Sequence, residues 1–136
     1  MAKSSIRKFM NDLDDALDKG MGRFLQESQG KLIQQAPVDS GRFASSWFIG
    51  RNSPDLSVAT ERPKGAADVV QKPYAGTITA DGNWYISNNL PYAESVSLDP
   101  KWSKGAKGGP AWYTTIVNNL DRDAEDAFEF YLKKLK

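Results

Sequence analysis

Carboxylates are the only side chains dense enough in this sequence to suggest catalysis or metal binding. Asp12, Asp14, Asp15 and Asp18 cluster near the start, and Asp39 and Glu94 stand singly further on. The chain of 136 residues contains no cysteine and no histidine. That removes the thiolate nucleophile, the commonest general base and the commonest metal ligand together. Four aspartates at helical spacing form a solvated helix face; to bind a cation they would have to turn inward in a loop. A hydrolase working through Asp39 or Glu94 would need paired, partly buried carboxylates whose pKa values are pushed apart. Pro37-Val38-Asp39-Ser40-Gly41-Arg42 and Gly105-Ala106-Lys107-Gly108-Gly109-Pro110 both look like loops, but neither has the glycine spacing followed by Lys-Ser/Thr that cradles a phosphate. The last candidate chemistry is binding. Lys101, Trp102, Lys104 and Lys107 place cations beside an aromatic face, as a module for single-stranded nucleic acid would. The expectation is no enzyme, no cofactor and no metal, with residues 101–107 as a contact loop.

Eighteen basic residues against seventeen acidic ones give a net charge of +1, so no global field draws the chain to nucleic acid or to an anionic membrane. No apolar run approaches the ~20 residues of a membrane span. The basic start, Met1 to Met10, is followed at once by Asn11 and Asp12, so it is not read as a signal peptide. These bounds describe a soluble, cytosolic, single domain over residues 1–136, large enough to bury a core without staples.

Two helical patterns must position whatever the chain uses. From Ser4 to Gln35 apolar residues recur at three and four, which predicts an amphipathic helix about 48 Å long, with a bend or loosened turn at Gly20 and Gly22. Such a helix outreaches a small domain, which suggests a use for its overhang in a neighbouring subunit. Pro37 stops it. A capped turn through Ala44 and a strand over Ser46–Arg51 follow. Leu56–Thr60 and Thr77–Thr79 read as short strands, and Ala66–Gln71 as one or two helical turns. The centre of the sheet is expected at Trp84–Leu90, ended by Pro91, with Trp47, Ile49, Trp84 and Ile86 in one core. Glu94–Leu98 alternates as an edge strand would, and residues 99–109 form a flexible basic loop. A single last helix starts at Pro110, with Ile116, Leu120, Phe128 and Tyr131 on its buried stripe. The fold class is α+β: a small, mainly antiparallel sheet packed by a long N-terminal helix and a C-terminal helix.

Two segments carry a resemblance. Ala36-Pro37-Val38-Asp39-Ser40-Gly41-Arg42 with Ser46-Trp47 resembles the A-P-V-D-T-G-R…S-W signature of tailed-phage neck proteins, the tail-completion or head–tail joining proteins. Asn88-Asn89-Leu90-Pro91-Tyr92-Ala93 resembles their N-N-x-P-Y-A signature, in the same order between a long first helix and a C-terminal one. Where the family continues with a hydrophobic residue, Glu, one residue and Gly, this chain has Val96, Ser97 and Asp99. The W-S-x-x-A-P-x-G loop is echoed loosely from Trp102, and residues 56–79 do not align. The resemblance implies a non-catalytic structural subunit. It would close with copies of itself into a ring, a hexamer or a dodecamer, against other neck and tail-tube proteins. DNA would only pass through the lumen, and the protein would reside in the virion after assembly in the host cytoplasm.

Overall fold

The computed structural model describes residues 2–37, 41–60, 69–102 and 105–135. The expectations placed on Asp39 and Lys104 therefore lie outside the described residues, as does the first half of the helical turn expected over Ala66–Gln71. Among the described residues the chain forms four α-helices, one 3-10 turn and a two-stranded antiparallel sheet. The class is α+β, as read from the sequence.

Helix α1 runs unbroken over Ala2–Gln35. The expected loosening at Gly20 does not occur, because Gly20 serves a close approach. A Cβ there would lie 2.5 Å from Cδ1 of Phe128. Phe128 belongs to α4 (Leu120–Leu132), which runs antiparallel to the middle of α1, with Lys31 paired to Asp123 at 2.7 Å. The first turns of α1 extend beyond this contact, and Ile6, Phe9 and Met10 are exposed. Exposed i,i+4 pairs, Lys8–Asp12, Lys19–Asp15 and Arg23–Glu27, line its outer surface, where solvent screens them.

The 3-10 turn Ala44–Ser46 leads into β1 (Trp47–Arg51), which pairs with β2 (Trp84–Asn88). The register sets Trp47 opposite Asn88, Ile49 opposite Ile86 and Arg51 opposite Trp84. β2 is therefore one strand of a hairpin, where the sequence suggested the centre of a larger sheet. Trp47 and Ile49 are buried as expected, but Trp84 and Ile86 lie at a half-exposed rim.

Helix α2 (Ala93–Leu98) replaces the expected edge strand. Five residues cannot distinguish a period of two from one of 3.6. The helix buries Val96 and Ser97, one turn on from Ala93, and exposes Leu98, which a strand would have buried with Val96. The last helical pattern is also divided, into α3 (Trp112–Asn118) and α4. Asn119 sits between them at φ −100°, ψ 0°, with its N–H turned back to Ile116. Asp121 and Asp123 then fall in the first turn of α4, where its dipole favours negative charge.

The core gathers at the C-terminal half of α1. Leu32, Ile33 and Ala36 meet Phe43, Trp47, Val96, Trp112 and Ile116. Trp112 is fully buried, with Phe43 and Trp47 set edge-on at 6.1 and 6.4 Å. Tyr113 stacks on Trp47 at 6.1 Å.

Candidate subunit interface

The two segments that carry the sequence signatures meet at the start of the hairpin. Pro37 follows the last turn of α1, where Ala36 N–H still reaches Leu32. Gly41 is buried at φ 82°, a left-handed backbone that favours glycine, and its carbonyl accepts from Ser45 N–H at 2.9 Å. The neighbouring Arg42 donates from Nε to the Ala59 carbonyl at 3.0 Å. Ser46 Oγ donates to the Arg42 carbonyl at 2.6 Å and accepts from Ala59 N–H at 2.9 Å. Trp47, next in line, is the cross-strand neighbour of Asn88.

Asn88 closes the arrangement. Its Nδ2 donates to the Phe43 carbonyl at 2.9 Å, and its Oδ1 accepts from Leu90 N–H at 3.2 Å. Asn89 Nδ2 donates to the Leu56 carbonyl at 3.2 Å. Pro91 lies exposed in the turn before α2, and the Tyr92 ring leans on Phe43 at 6.4 Å. The signature residues that are described thus tie two strands, a turn and a connection together. The polar groups of Arg42, Ser46, Asn88 and Asn89 bond backbone.

The same device holds the described parts of the long connection between β1 and β2, residues 52–60 and 69–83. The expected strands at 56–60 and 77–79 are absent, and residues 69–71 are not helical. Among the described residues of the connection no ladder forms, and side chains from the body bond its backbone groups. Fully buried Gln29 donates from Nε2 to the carbonyls of Trp47 and Lys72 at 2.8 and 2.9 Å, and accepts from Gln71 at 3.2 Å. Ser45 Oγ accepts from Val70 N–H, and Asp18 from Ala80 N–H. The ends of the connection meet where Asn52 N–H reaches the Asn83 carbonyl at 2.6 Å, Asn52 itself lying at φ 64°. Gly50 leaves room for the return, since a Cβ there would be 2.3 Å from the Ser53 carbonyl oxygen.

Of the aspartate cluster, Asp12 and Asp15 pair with lysines on the helix surface, and Asp18 belongs to the connection. Among the described residues, no three His, Cys, Asp or Glu side chains come together as a metal site. Glu94 is exposed in the first turn of α2. Two other carboxyls are held below their usual value. Asp55 is lowered by hydrogen bonds from Ser57, whose N–H reaches it at 2.8 Å, and Asp81 by the Thr79 hydroxyl. Both stabilise local turns.

The loop after α2 is anchored at both ends. Asp99 accepts from Lys101 N–H at 2.9 Å, and Gly108 N–H reaches the Gln35 carbonyl at 3.4 Å. Gly108 lies so close to α1 that a Cβ would be 2.4 Å from Gln35 Oε1. Between the anchors Lys101, Trp102 and Lys107 are exposed, Trp102 by 56%.

No family model, curated protein or solved structure matches this chain. Among the described residues no helix is long and apolar enough to cross a membrane.

Proposed function

We propose that the protein is a structural subunit of the bacteriophage neck, forming a ring that completes the tail and joins it to the head. The observation that carries this reading is the meeting of the two signature segments. Asn88 faces Trp47 across the hairpin and bonds the Phe43 carbonyl, so the resembling residues form one structural unit. The exposed overhang of α1 and the presented Trp102 supply surface for neighbours. Partners are copies of the chain and other neck and tail-tube proteins; DNA only passes through the lumen.

Two measurements test the proposal. Native mass measurement of the protein with its tail tube should give a multiple of the chain mass, and a single copy per tube would overturn the ring. Trp102→Ala should shift the melting temperature of the free protein by no more than about 1 °C, as surface changes do, while lowering the yield of joined heads and tails. Unfolding by that substitution would make Trp102 a core residue; unchanged assembly would make the loop a connector. The exposed Lys101, Trp102 and Lys107 also favour a second reading, a nucleic-acid module. Micromolar binding of single strands that weakens steeply with salt would replace the ring proposal with that one.

A further inference from the structure

Helix α1 is longer than the helix that covers it. Gly20 lies against Phe128 and the two helices run antiparallel, so α4 ends, at Leu132, beside Ala16, and about four turns of α1 project past it. The projecting part has an apolar stripe. Ile6, Phe9 and Met10 are 64%, 46% and 52% exposed, and Leu13 and Leu17 continue the stripe at half-buried positions. Its charges are unevenly satisfied. Lys8 pairs with Asp12 and Lys19 with Asp15, which leaves exposed Arg7 and Asp14 without an ion-pair partner among the described residues. Arg7 and Asp14 are seven residues apart, so they stand two turns from each other on one flank of the stripe, with Met10 between them.

We propose that this segment pairs with the same segment of a second copy of the chain, the two helices running antiparallel about a two-fold axis near Asn11. A helix laid end for end on its own copy sets cation against anion only where its charges differ in sign on the two sides of the axis. Arg7 and Asp14 meet that condition. Each copy's Arg7 reaches the other's Asp14, and the two unpaired charges become two ion pairs. In the same register Met10 of each copy packs on Leu13 of the other, and Ile6 on Leu17. A parallel pair would bring like charges level with each other. The charges set direction and register, while the apolar stripe supplies the attraction, since exposed ion pairs contribute little. The contact is isologous, so it goes beyond the ring reading and does not rest on it. Alone it makes a dimer, and between rings it joins two of them face to face.

Sedimentation of the free full-length protein, with no tail tube present, tests the contact. A patch of about three helical turns is at the small end of interfaces, so the dimer should form in the micromolar range and above. Arg7→Asp and Asp14→Arg should each weaken it about tenfold, because two attractions become two repulsions. Mixing the two single variants should restore the wild-type affinity in a heterodimer, since each then presents the charge that the other lacks. Met10→Asp, at an exposed position where circular dichroism should show the fold unchanged, should abolish the dimer. A protein that stays monomeric at millimolar concentration overturns the inference. So does a dimer that neither charge reversal weakens, or one that is weakened by both and not recovered in the mixture, since its contact then lies elsewhere. The ring reading fails separately. A dimer of the free chain with a single copy per tube overturns the ring alone, and a free monomer that still assembles in multiples on the tube overturns the two-fold contact alone.

Discussion

Around Trp112 the chain is held by rings; across the hairpin, residues 52–60 and 69–83 are held by amides, hydroxyls and carboxylates bonded to backbone. The first region buries Leu32, Ile33, Phe43, Trp47 and Ile116 about one tryptophan. The second leaves Leu56, Val58, Val69 and Val70 exposed, and is fastened by Arg42, Ser45, Ser46, Gln29 and Asp18. Apolar contact is non-directional and tolerates small movements, so it sets the stability of the whole. Side-chain bonds to backbone are directional and individually modest, so they set the path of one segment. The two regions share β1, whose outer backbone is bonded by Gln29.

The sharpest way to break this contrast is at its centre. Trp112→Ala removes a fully buried indole that three other rings pack against. It should cost about 3–5 kcal/mol and carry both regions with it, as denaturant unfolding will show. A loss confined to the helices, with the connection still protected from hydrogen exchange, would mean that the connection stands alone. Trp84, which the sequence placed in the same core, is a weaker target. Its ring is half-exposed, packed on Tyr74 at 5.1 Å and bonded through Nε1 to the Thr79 carbonyl.

A smaller effect is expected from Gln29→Ala. The substitution strips the Trp47 and Lys72 carbonyls of a buried donor and should cost about 1–3 kcal/mol. Its signature is local: hydrogen exchange should quicken around residues 69–72 before the helices respond. A cost as large as that of Trp112→Ala would show that the amide, not the rings, organises the fold.

The first region was legible in part, because repetition announces apolar packing, but Trp112 at its centre was not among the residues expected on the buried stripe. The stripes of α1 and the last helix, the strand at Trp47 and the loop with Trp102 outside all follow from spacing and residue type. The second region was not, because its order lies in partners distant in sequence, such as Gln29 with Lys72 or Asp18 with Ala80. No local pattern in 52–83 encodes them. One signal did exist. Gln29 sits four residues after Leu25 and four before Ile33, a polar residue on an apolar stripe, and such a position marks a buried hydrogen bond. Asn119 offered a similar hint of the break between α3 and α4.

Acid should separate the two regions with the smallest effect. Within the connection, Asp55 accepts from Ser57 N–H, while Val70 and Ala59 donate to serine hydroxyls that do not titrate. The Ser57 hydrogen bonds hold the Asp55 carboxyl below its ordinary value of 3.8. A lowered folded-state pKa stabilises at pH above the unfolded value, and the contribution is lost as pH falls through the folded one. The tie at Ser57 should therefore be intact from neutral pH down to about 4 and fade below it. Hydrogen-exchange protection, corrected for the intrinsic pH dependence, should fall at the Ser57 amide and persist at Val70 and Ala59, with the Trp112 core unmoved. If Ser57 keeps its protection at pH 2, the carboxylate is not what fastens that turn. If all three amides open together, the connection behaves as one cooperative unit, and the contrast between its separate ties and the ring-packed core dissolves.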